Sequence, residues 1–268
     1  MGGQILGDRY EVKHQLGKKS GRWTLEALDL ETQARVILKL IFLDDSLSAT
    51  DLRLFTREME ALKLLDHPAT PRHLNSFDIT LPLDGKALAL VQSHLPGKSL
   101  AQYAQEARVF TQKEVETIAR QVLAVLVQLH EQSPPIIHRD IRPSNILLQG
   151  EPNGDNFAIA LVDFGSVKAL NTSTTSFTIL GSGGYTPPEQ AGGRVLAASD
   201  LYSLGATLAE AMTGLTLHQM QGGKLRIRIE EHCQVSEAFA TWLKQLMAPS
   251  LDHRWSSAQK ALAALESL

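Results

Sequence analysis

The first third of the chain carries short apolar runs that are separated by turn residues such as Gly17 and Gly21. Runs of this length, rich in β-branched and aromatic residues, predict β-strands. We therefore expect five strands in this region. They are Tyr10–Leu16, Arg22–Leu28, Ala34–Phe42, Leu74–Thr80 and Lys86–Gln92.

The spacing of apolar residues becomes that of helices in one early segment and again after Ser99. The early helix is expected from Ala49 to Leu65, and Pro68 would stop it. Later segments with apolar residues three and four positions apart predict four more helices. They are Lys113–Gln132, Leu201–Met212, Ser236–Met247 and Ser256–Leu265. The second of these is apolar or small on almost every side, which is typical of a buried helix.

A strand-rich region followed by a helix-rich region indicates an α+β fold. The pattern changes near His94–Lys98, so we expect a β-rich N-lobe with one helix in residues 1–95 and an α-rich C-lobe in residues 96–268. Ligands usually bind in clefts between such lobes.

Composition excludes several classes of protein. The chain has 268 residues, 43% of them hydrophobic, which is enough for a large core, and its net charge of -3 gives no sign of nucleic-acid binding. No apolar run is long enough to span a membrane, and Met1-Gly2-Gly3-Gln4 lacks the features of a signal peptide. The single cysteine, Cys233, cannot form an internal disulfide, so we expect a reducing, cytoplasmic location.

The stretch His138–Asn145 carries the strongest chemical signal. Asp140 and Asn145 stand five residues apart, on a loop between a predicted helix and the apolar run Ile146–Leu148. The carboxylate can accept a proton from an attacking hydroxyl, and the amide oxygen can hold a magnesium ion. The alternative is an ordinary polar turn closed by Pro143.

Two further motifs strengthen the chemical interpretation of His138–Asn145. Asp163-Phe164-Gly165 follows Asp140 by 23 residues, and Thr186-Pro187-Pro188-Glu189 comes after it. With these motifs the chain resembles a protein kinase domain from about Tyr10 to Leu265, and is most similar to bacterial eukaryotic-like Ser/Thr kinases. The resemblance implies the two-lobed kinase fold, with nucleotide bound by the N-lobe and the catalytic loop and substrate site in the C-lobe.

The resemblance also assigns the catalytic residues. It implies that Asp140 accepts the substrate proton, that Asn145 and Asp163 bind Mg²⁺, and that Lys39, paired with Glu58, holds the α- and β-phosphates of ATP. Lys39 lies within an apolar strand, where an unpaired ammonium would be costly, and Glu58 lies on the inward face of the early helix. Arg142 stands where Ser/Thr-specific members usually carry Lys, and the two are not equivalent.

The nucleotide site departs from the family. The resemblance implies contacts with ATP from Gly17, Ser93, Leu95 and Leu147. Only Gly17 remains of the three glycines that normally cradle the phosphates, because Lys19 and Arg22 stand at the positions of the other two. Ile37 replaces the small alanine that lies against adenine, and Thr24 replaces a valine. Overpacking of this kind predicts weak ATP affinity.

Three more features follow from the resemblance. Glu189 is expected to pair with Arg254, and Asp200 to hold the backbone of the catalytic loop as well as capping its own helix. The segment Asn171–Thr178 is rich in hydroxyl groups, and phosphorylation there would order it, since Arg139 offers a cation partner. An unmodified polar loop is the alternative.

The sequence therefore predicts a Ser/Thr protein kinase that transfers the γ-phosphate of Mg-ATP to protein hydroxyls, including its own. A pseudokinase that acts as a scaffold and binds nucleotide poorly is the alternative, although Asp140, Asp163 and Lys39 are all present. A small-molecule phosphotransferase is disfavoured by the Pro-Pro-Glu segment and Arg254. Tyrosine specificity is disfavoured by the Arg142–Asn145 stretch.

Overall fold

The computed structural model describes residues 2–19, 21–45, 47–80, 85–152, 156–169, 184–221 and 228–268. The chain divides into two compact units, Met1–Leu95 and Pro96–Leu268. The first unit is a sheet with one helix and the second is mainly helical, so the α+β class is confirmed.

A six-stranded antiparallel sheet builds the first unit, in the order β1-β2-β3-β4-β6-β5. Its strands are β1 Ile5–Leu6, β2 Tyr10–Lys19, β3 Arg22–Asp29, β4 Arg35–Phe42, β5 His73–Thr80 and β6 Lys86–Ser93. All five strands expected from the sequence are present, and β1 was missed because two residues show no alternation.

The sheet forms because its strands alternate in burial. On one face, side chains such as Leu25, Ala27, Val36 and Leu38 are at most 1% exposed and form a single apolar cluster. Residues between them in sequence point to the other face. Lys39 stands on that second face, opposite Thr24 of β3.

Helix α1 spans Ala49–Leu64, one residue shorter than expected. Ser48 caps its N-terminus by accepting a hydrogen bond from the Asp51 amide at 3.0 Å, and Leu65 is extended, which ends the helix three residues before Pro68. The buried residues of α1 include Phe55, Glu58 and Leu62. A glutamate on the buried side of a helix requires a cationic partner.

The second unit contains seven helices and five short strands in its described residues. The helices are α2 Leu100–Gln105, α3 Gln112–His130, α4 Pro188–Ala191, α5 Ala197–Thr213, α6 Leu217–Gln221, α7 Glu237–Leu246 and α8 Ala258–Glu266. The strands are β7 Lys98–Ser99, β8 Ile136–Ile137, β9 Ile146–Gln149, β10 Ala158–Leu161 and β11 Lys168–Ala169. None of the described helices combines the length and the hydropathy that a membrane span requires.

Helix α5 forms the centre of the second unit, as its composition predicts. It begins at Ala197, so Asp200 lies inside the first turn and the expectation that Asp200 caps this helix is wrong. Fourteen of its 17 residues are buried. Close packing there depends on Gly205, since a Cβ at this position would lie 2.7 Å from Met247 Cγ and 2.8 Å from Leu246 Cβ. Small residues therefore let the segment after α7 approach the helix backbone.

The expected pair between Glu189 and Arg254 connects the start of α4 to the loop before α8. Arg254 donates from both terminal nitrogens to the two carboxylate oxygens, at 2.6 and 3.1 Å, and also to the carbonyls of Ala248, Ala198 and Pro249. Burial acts to raise the pKa of Glu189, but the Arg254 hydrogen bonds outweigh it and the pKa lies below its usual range. The Arg254 side chain is fully buried, so the guanidinium depends on these acceptors.

Replacing Arg254 with Met should lower the free energy of unfolding by roughly 3–5 kcal/mol, because Glu189 would be left buried and ionised without a cation. The double variant Glu189→Leu/Arg254→Met should recover part of that loss. Urea denaturation followed by circular dichroism measures both. Arg228→Ala, which removes an exposed pair with Glu231, is the control and should cost under about 1 kcal/mol. An equally small effect of Arg254→Met would contradict the structural role of the buried pair.

Candidate active site

A buried carboxylate holds the loop that carries Asp140. Asp200, at 0% exposure, accepts hydrogen bonds from the backbone amides of His138 and Arg139, both at 2.8 Å, and lies 2.9 Å from Nε2 of His130. Arg139 has a φ of 70°, which is unfavourable for a residue with a side chain. The two hydrogen bonds stabilise this conformation, so Asp200 sets the direction in which the chain reaches Asp140.

Asp140 and Asn145 are in direct contact. The Asn145 side-chain amide donates to the Asp140 backbone carbonyl at 2.8 Å and to its Oδ2 at 3.1 Å. A single turn of 3₁₀ helix, Pro143–Asn145, closes the loop, and the backbone amide of Asn145 donates to the Arg142 carbonyl. The Asn145 carbonyl in turn accepts from Val162, which follows β10. The backbone and one side chain thus fix the carboxylate of Asp140.

The surroundings of Asp140 favour a proton acceptor. Burial, and then the negative charge of Asp163, raise the pKa of Asp140 above its ordinary value. A carboxylate whose basicity is raised in this way accepts a proton more readily than one in water. His138, beside it, is fully buried, and burial lowers the pKa of its imidazole.

Asp163 follows β10 in an unusual backbone conformation, with a φ of 66°. Phe164 is 1% exposed and packs edge-on against His138, with ring centroids 4.8 Å apart, which anchors the turn in the second unit. A positive φ on a residue with a side chain is typical of functional sites that the surrounding structure holds in place. The sequence did not predict this positive φ, because Asp adopts the left-handed conformation only occasionally.

The oxygens of Asn145 and Asp163 suit a hard divalent cation. Asn145 Oδ1 accepts one hydrogen bond, from Ser144 at 3.1 Å, so a lone pair remains for a metal. In the part of the chain that the structure describes, no group of three or more His, Cys, Asp or Glu residues is arranged to hold a metal ion. Two protein ligands fit Mg²⁺, which usually keeps several waters and binds substrate phosphates.

Arg142 lies against an aromatic ring that the sequence did not single out. Its guanidinium carbon is 5.9 Å from the centre of the Tyr185 ring, and the Tyr185 hydroxyl donates to Glu210 of α5. Burial, followed by this hydrogen bond, raises the pKa of Tyr185, so the phenol stays neutral. The planar guanidinium can stack on a ring in a way that a lysine ammonium cannot, which explains how arginine is accommodated at this position.

In the first unit the structure brings Lys39 and Glu58 together, with Lys39 Nζ donating to Glu58 Oε1. Their side chains are only 14% and 5% exposed. Both groups of the pair are therefore largely removed from water, where such a contact is considerably stronger than at the surface. The partner that the sequence requires for each charge is present.

The sheet face that carries Lys39 also carries Ile37, which the resemblance places near adenine, and a buried glutamine opposite it. Ile37 lies two residues before Lys39 in β4, and Gln92 of β6 stands directly opposite Ile37. Gln92 is 4% exposed, and its Oε1 atom has no hydrogen-bond partner among the described residues. A buried amide oxygen without a partner fits a site that is completed by a polar ligand.

The other residues expected to contact nucleotide are divided between the two units. Gly17 pairs with Thr24 near the end of the β2–β3 hairpin, and the Ser93 backbone amide donates to the Arg72 carbonyl. Leu95 is the last residue of the first unit. Leu147 belongs to the second unit and is half-buried between two buried neighbours in β9.

Two cations of the altered glycine segment have partners within the first unit. Lys18 lies over the Trp23 ring, with its Nζ 5.3 Å from the centre, and the cross-strand pairing places both on the face opposite to Lys39. Arg22 pairs with Asp51 of α1. These contacts therefore compete with any interaction of Lys18 or Arg22 with phosphate.

Comparison with known proteins agrees with this geometry. The family model described as "Protein kinase domain" matches residues 10–265. The chain is 31% identical to serine/threonine-protein kinase B of Synechocystis over 97% of this chain and 47% of that protein. It is 30% identical both to PrkC of Bacillus subtilis and to PknB of Mycolicibacterium smegmatis, over 79% of this chain and 31% and 33% of those proteins.

This chain spans about half or less of the length of these relatives. The family model, by contrast, matches nearly all of this chain, from the start of β2 almost to the end of α8. The chain therefore belongs to the protein kinase domain family.

Proposed function

We propose that this chain is a Ser/Thr protein kinase domain, which transfers the γ-phosphate of ATP to a hydroxyl group of a protein. The observation that carries the proposal is the Asp140 carboxylate, held at 3.1 Å by the Asn145 amide on a loop that Asp200 fixes. The names of its relatives, all Ser/Thr kinases, support the hydroxyl specificity.

In the proposed mechanism, Asp140 orients the substrate hydroxyl and accepts its proton as the new bond to phosphorus forms. Lys39, fixed by Glu58, binds the α- and β-phosphates, and Arg142 stabilises the charge that develops on the transferred group. Asn145 and Asp163 would hold Mg²⁺, which when bound neutralises charge on the phosphates. The Tyr185 ring, 5.9 Å from the Arg142 guanidinium carbon, restricts the space open to that side chain.

The loss of a reacting group would have favoured the pseudokinase alternative. Lys39 has its glutamate partner, Asp140 has its amide partner, and Asp163 keeps its place after β10. The departures from the family pattern concern the nucleotide face instead. A domain with weak affinity for ATP and intact chemistry accounts for both observations.

Three finer points remain proposals. Mg²⁺ is the divalent ion best suited to the Asn145 and Asp163 oxygens. Autophosphorylation within Asn171–Thr178 falls on residues outside those that the structure describes, so it rests on the hydroxyl-rich sequence alone. A cytoplasmic location rests on the single cysteine.

Replacing Asp140 with Asn should lower phosphate transfer by roughly 10²- to 10⁴-fold, because the proton acceptor is lost while the shape of the loop is kept. Transfer of labelled γ-phosphate from Mg-ATP to the protein itself and to a generic basic protein measures this. Phosphoamino acid analysis of the product identifies the acceptor hydroxyl.

The exposed carboxylate of Asp252 provides a matched control, and Asp252→Asn should transfer phosphate at the wild-type rate. Equal transfer by wild type and Asp140→Asn would remove Asp140 from the mechanism. Absence of transfer by the wild type at millimolar ATP, together with no thermal shift on adding Mg-ATP, would favour the scaffold function.

Ile37 should weaken ATP binding by crowding the adenine site. The variant Ile37→Ala should therefore bind Mg-ATP about fivefold more tightly, which corresponds to roughly 1 kcal/mol of relieved overpacking. Isothermal titration calorimetry measures the affinity. Leu74→Ala, at a 49% exposed position of β5, is the control and should leave it unchanged. A wild-type dissociation constant in the low micromolar range, unaltered in Ile37→Ala, would show that Ile37 does not obstruct the site.

A further inference from the structure

The residue at the expected position of the third glycine makes a specific contact with helix α1. Arg22, the first residue of β3, donates from a terminal nitrogen to the Asp51 carboxylate in the first turn of the helix. The side chains of this pair are 35% and 33% exposed. A residue that the family pattern would place beside phosphate therefore connects the β2–β3 hairpin to the helix.

Asp51 also stands on the same side of α1 as Glu58. The two are seven residues apart, which is about two turns, so their side chains share a face at a separation of roughly 10 Å along the axis. Asp51 is thereby placed to act on the same helix face that presents Glu58 to Lys39.

The two cations also share a face of the sheet. Arg22 of β3 is paired with Ile41 of β4, and Thr24 of β3 is paired with Lys39 of β4. Because side chains two residues apart on a strand lie on the same face, all four side chains are on one face of the sheet. Two sheet cations thus meet two helix carboxylates, one at each end of a two-turn stretch of α1. Two such contacts restrict the rotation and the axial position of the helix more than one contact does.

We propose that Arg22 and Asp51 form a latch that positions α1, so that Glu58 stays against Lys39 and the nucleotide-binding lysine is held in place. Both act as positioning residues, since neither needs to touch ATP. This inference rests on the proposed kinase function, and it deepens it by assigning the altered glycine position a role in controlling the Lys39–Glu58 pair.

The latch is weak enough to be reversible. A half-exposed ion pair contributes a factor of roughly two to five to an equilibrium, and added salt screens it. The Lys39–Glu58 pair is far more buried. The Arg22–Asp51 pair therefore adjusts the position of α1, while the Lys39–Glu58 pair holds the lysine that is proposed to bind ATP.

A direct contact between Arg22 and phosphate makes the opposite prediction for Asp51. If Asp51 only sequestered Arg22 from the nucleotide, its removal would release the cation and strengthen ATP binding. If the pair is a latch, removal of either partner weakens binding. The sign of the Asp51 effect therefore distinguishes the two roles.

The test is a double-mutant cycle of Arg22→Gln, Asp51→Asn and the double variant, with affinity for Mg-ATP measured by calorimetry. The latch predicts that each single variant weakens binding about threefold and that the double variant is no weaker than either. Arg22→Lys, which keeps the charge, should retain most of the affinity. Tighter binding by Asp51→Asn, or fully additive losses, would overturn the proposal.

Hydrogen exchange of the α1 amides in the nucleotide-free protein separates this inference from the proposed function. Faster exchange from Ala49 to Leu64 in Arg22→Gln supports the latch even in a protein that transfers no phosphate, and unchanged exchange contradicts it. Arg35→Gln removes an exposed ion pair with Glu26 on the same sheet and is the matched control, with exchange and affinity expected to stay at wild-type values.

Discussion

The catalytic loop depends on the burial of one carboxylate. Asp200 lies inside the helical unit and accepts hydrogen bonds from the backbone amides of His138 and Arg139, both at 2.8 Å. Without the two carboxylate oxygens of Asp200, the positive φ of Arg139 would lose this stabilisation, and the chain would not be held in its turn toward Asp140. This buried carboxylate therefore constrains the backbone conformation, and the position of Asp140, the proposed proton acceptor, follows from it.

The two units differ in how closely they keep the family pattern. In the second unit the residues that we propose as reacting groups are held by contacts that suit the chemistry, and Arg142, which stands in place of the usual lysine, lies beside the Tyr185 ring. In the first unit the Lys39–Glu58 pair is kept, while Ile37 and Arg22 depart from the family pattern on the face that we propose to bind nucleotide. We infer that binding and chemistry are tuned separately in this domain.

Periodicity predicted the long elements well, and side-chain pairing poorly. The helix expected at Lys113–Gln132 spans Gln112–His130, because a helix of five turns repeats its apolar spacing many times. The pairs Lys39–Glu58 and Glu189–Arg254 could be named only through the family resemblance. The Arg22–Asp51 contact and the Tyr185 ring beside Arg142 were missed, since nothing in the local sequence encodes a partner 29 or 43 residues away.

The most direct test of this account is the catalytic constant of Asp200→Asn, measured at saturating ATP on protein shown by a cooperative thermal transition to be folded. The amide offers one acceptor where the carboxylate offers two, so the loop should relax and displace Asp140. A fall of the catalytic constant by about 10²-fold, of the size expected for an ångström-scale misplacement, is the predicted result. A folded variant with the wild-type catalytic constant would contradict the account.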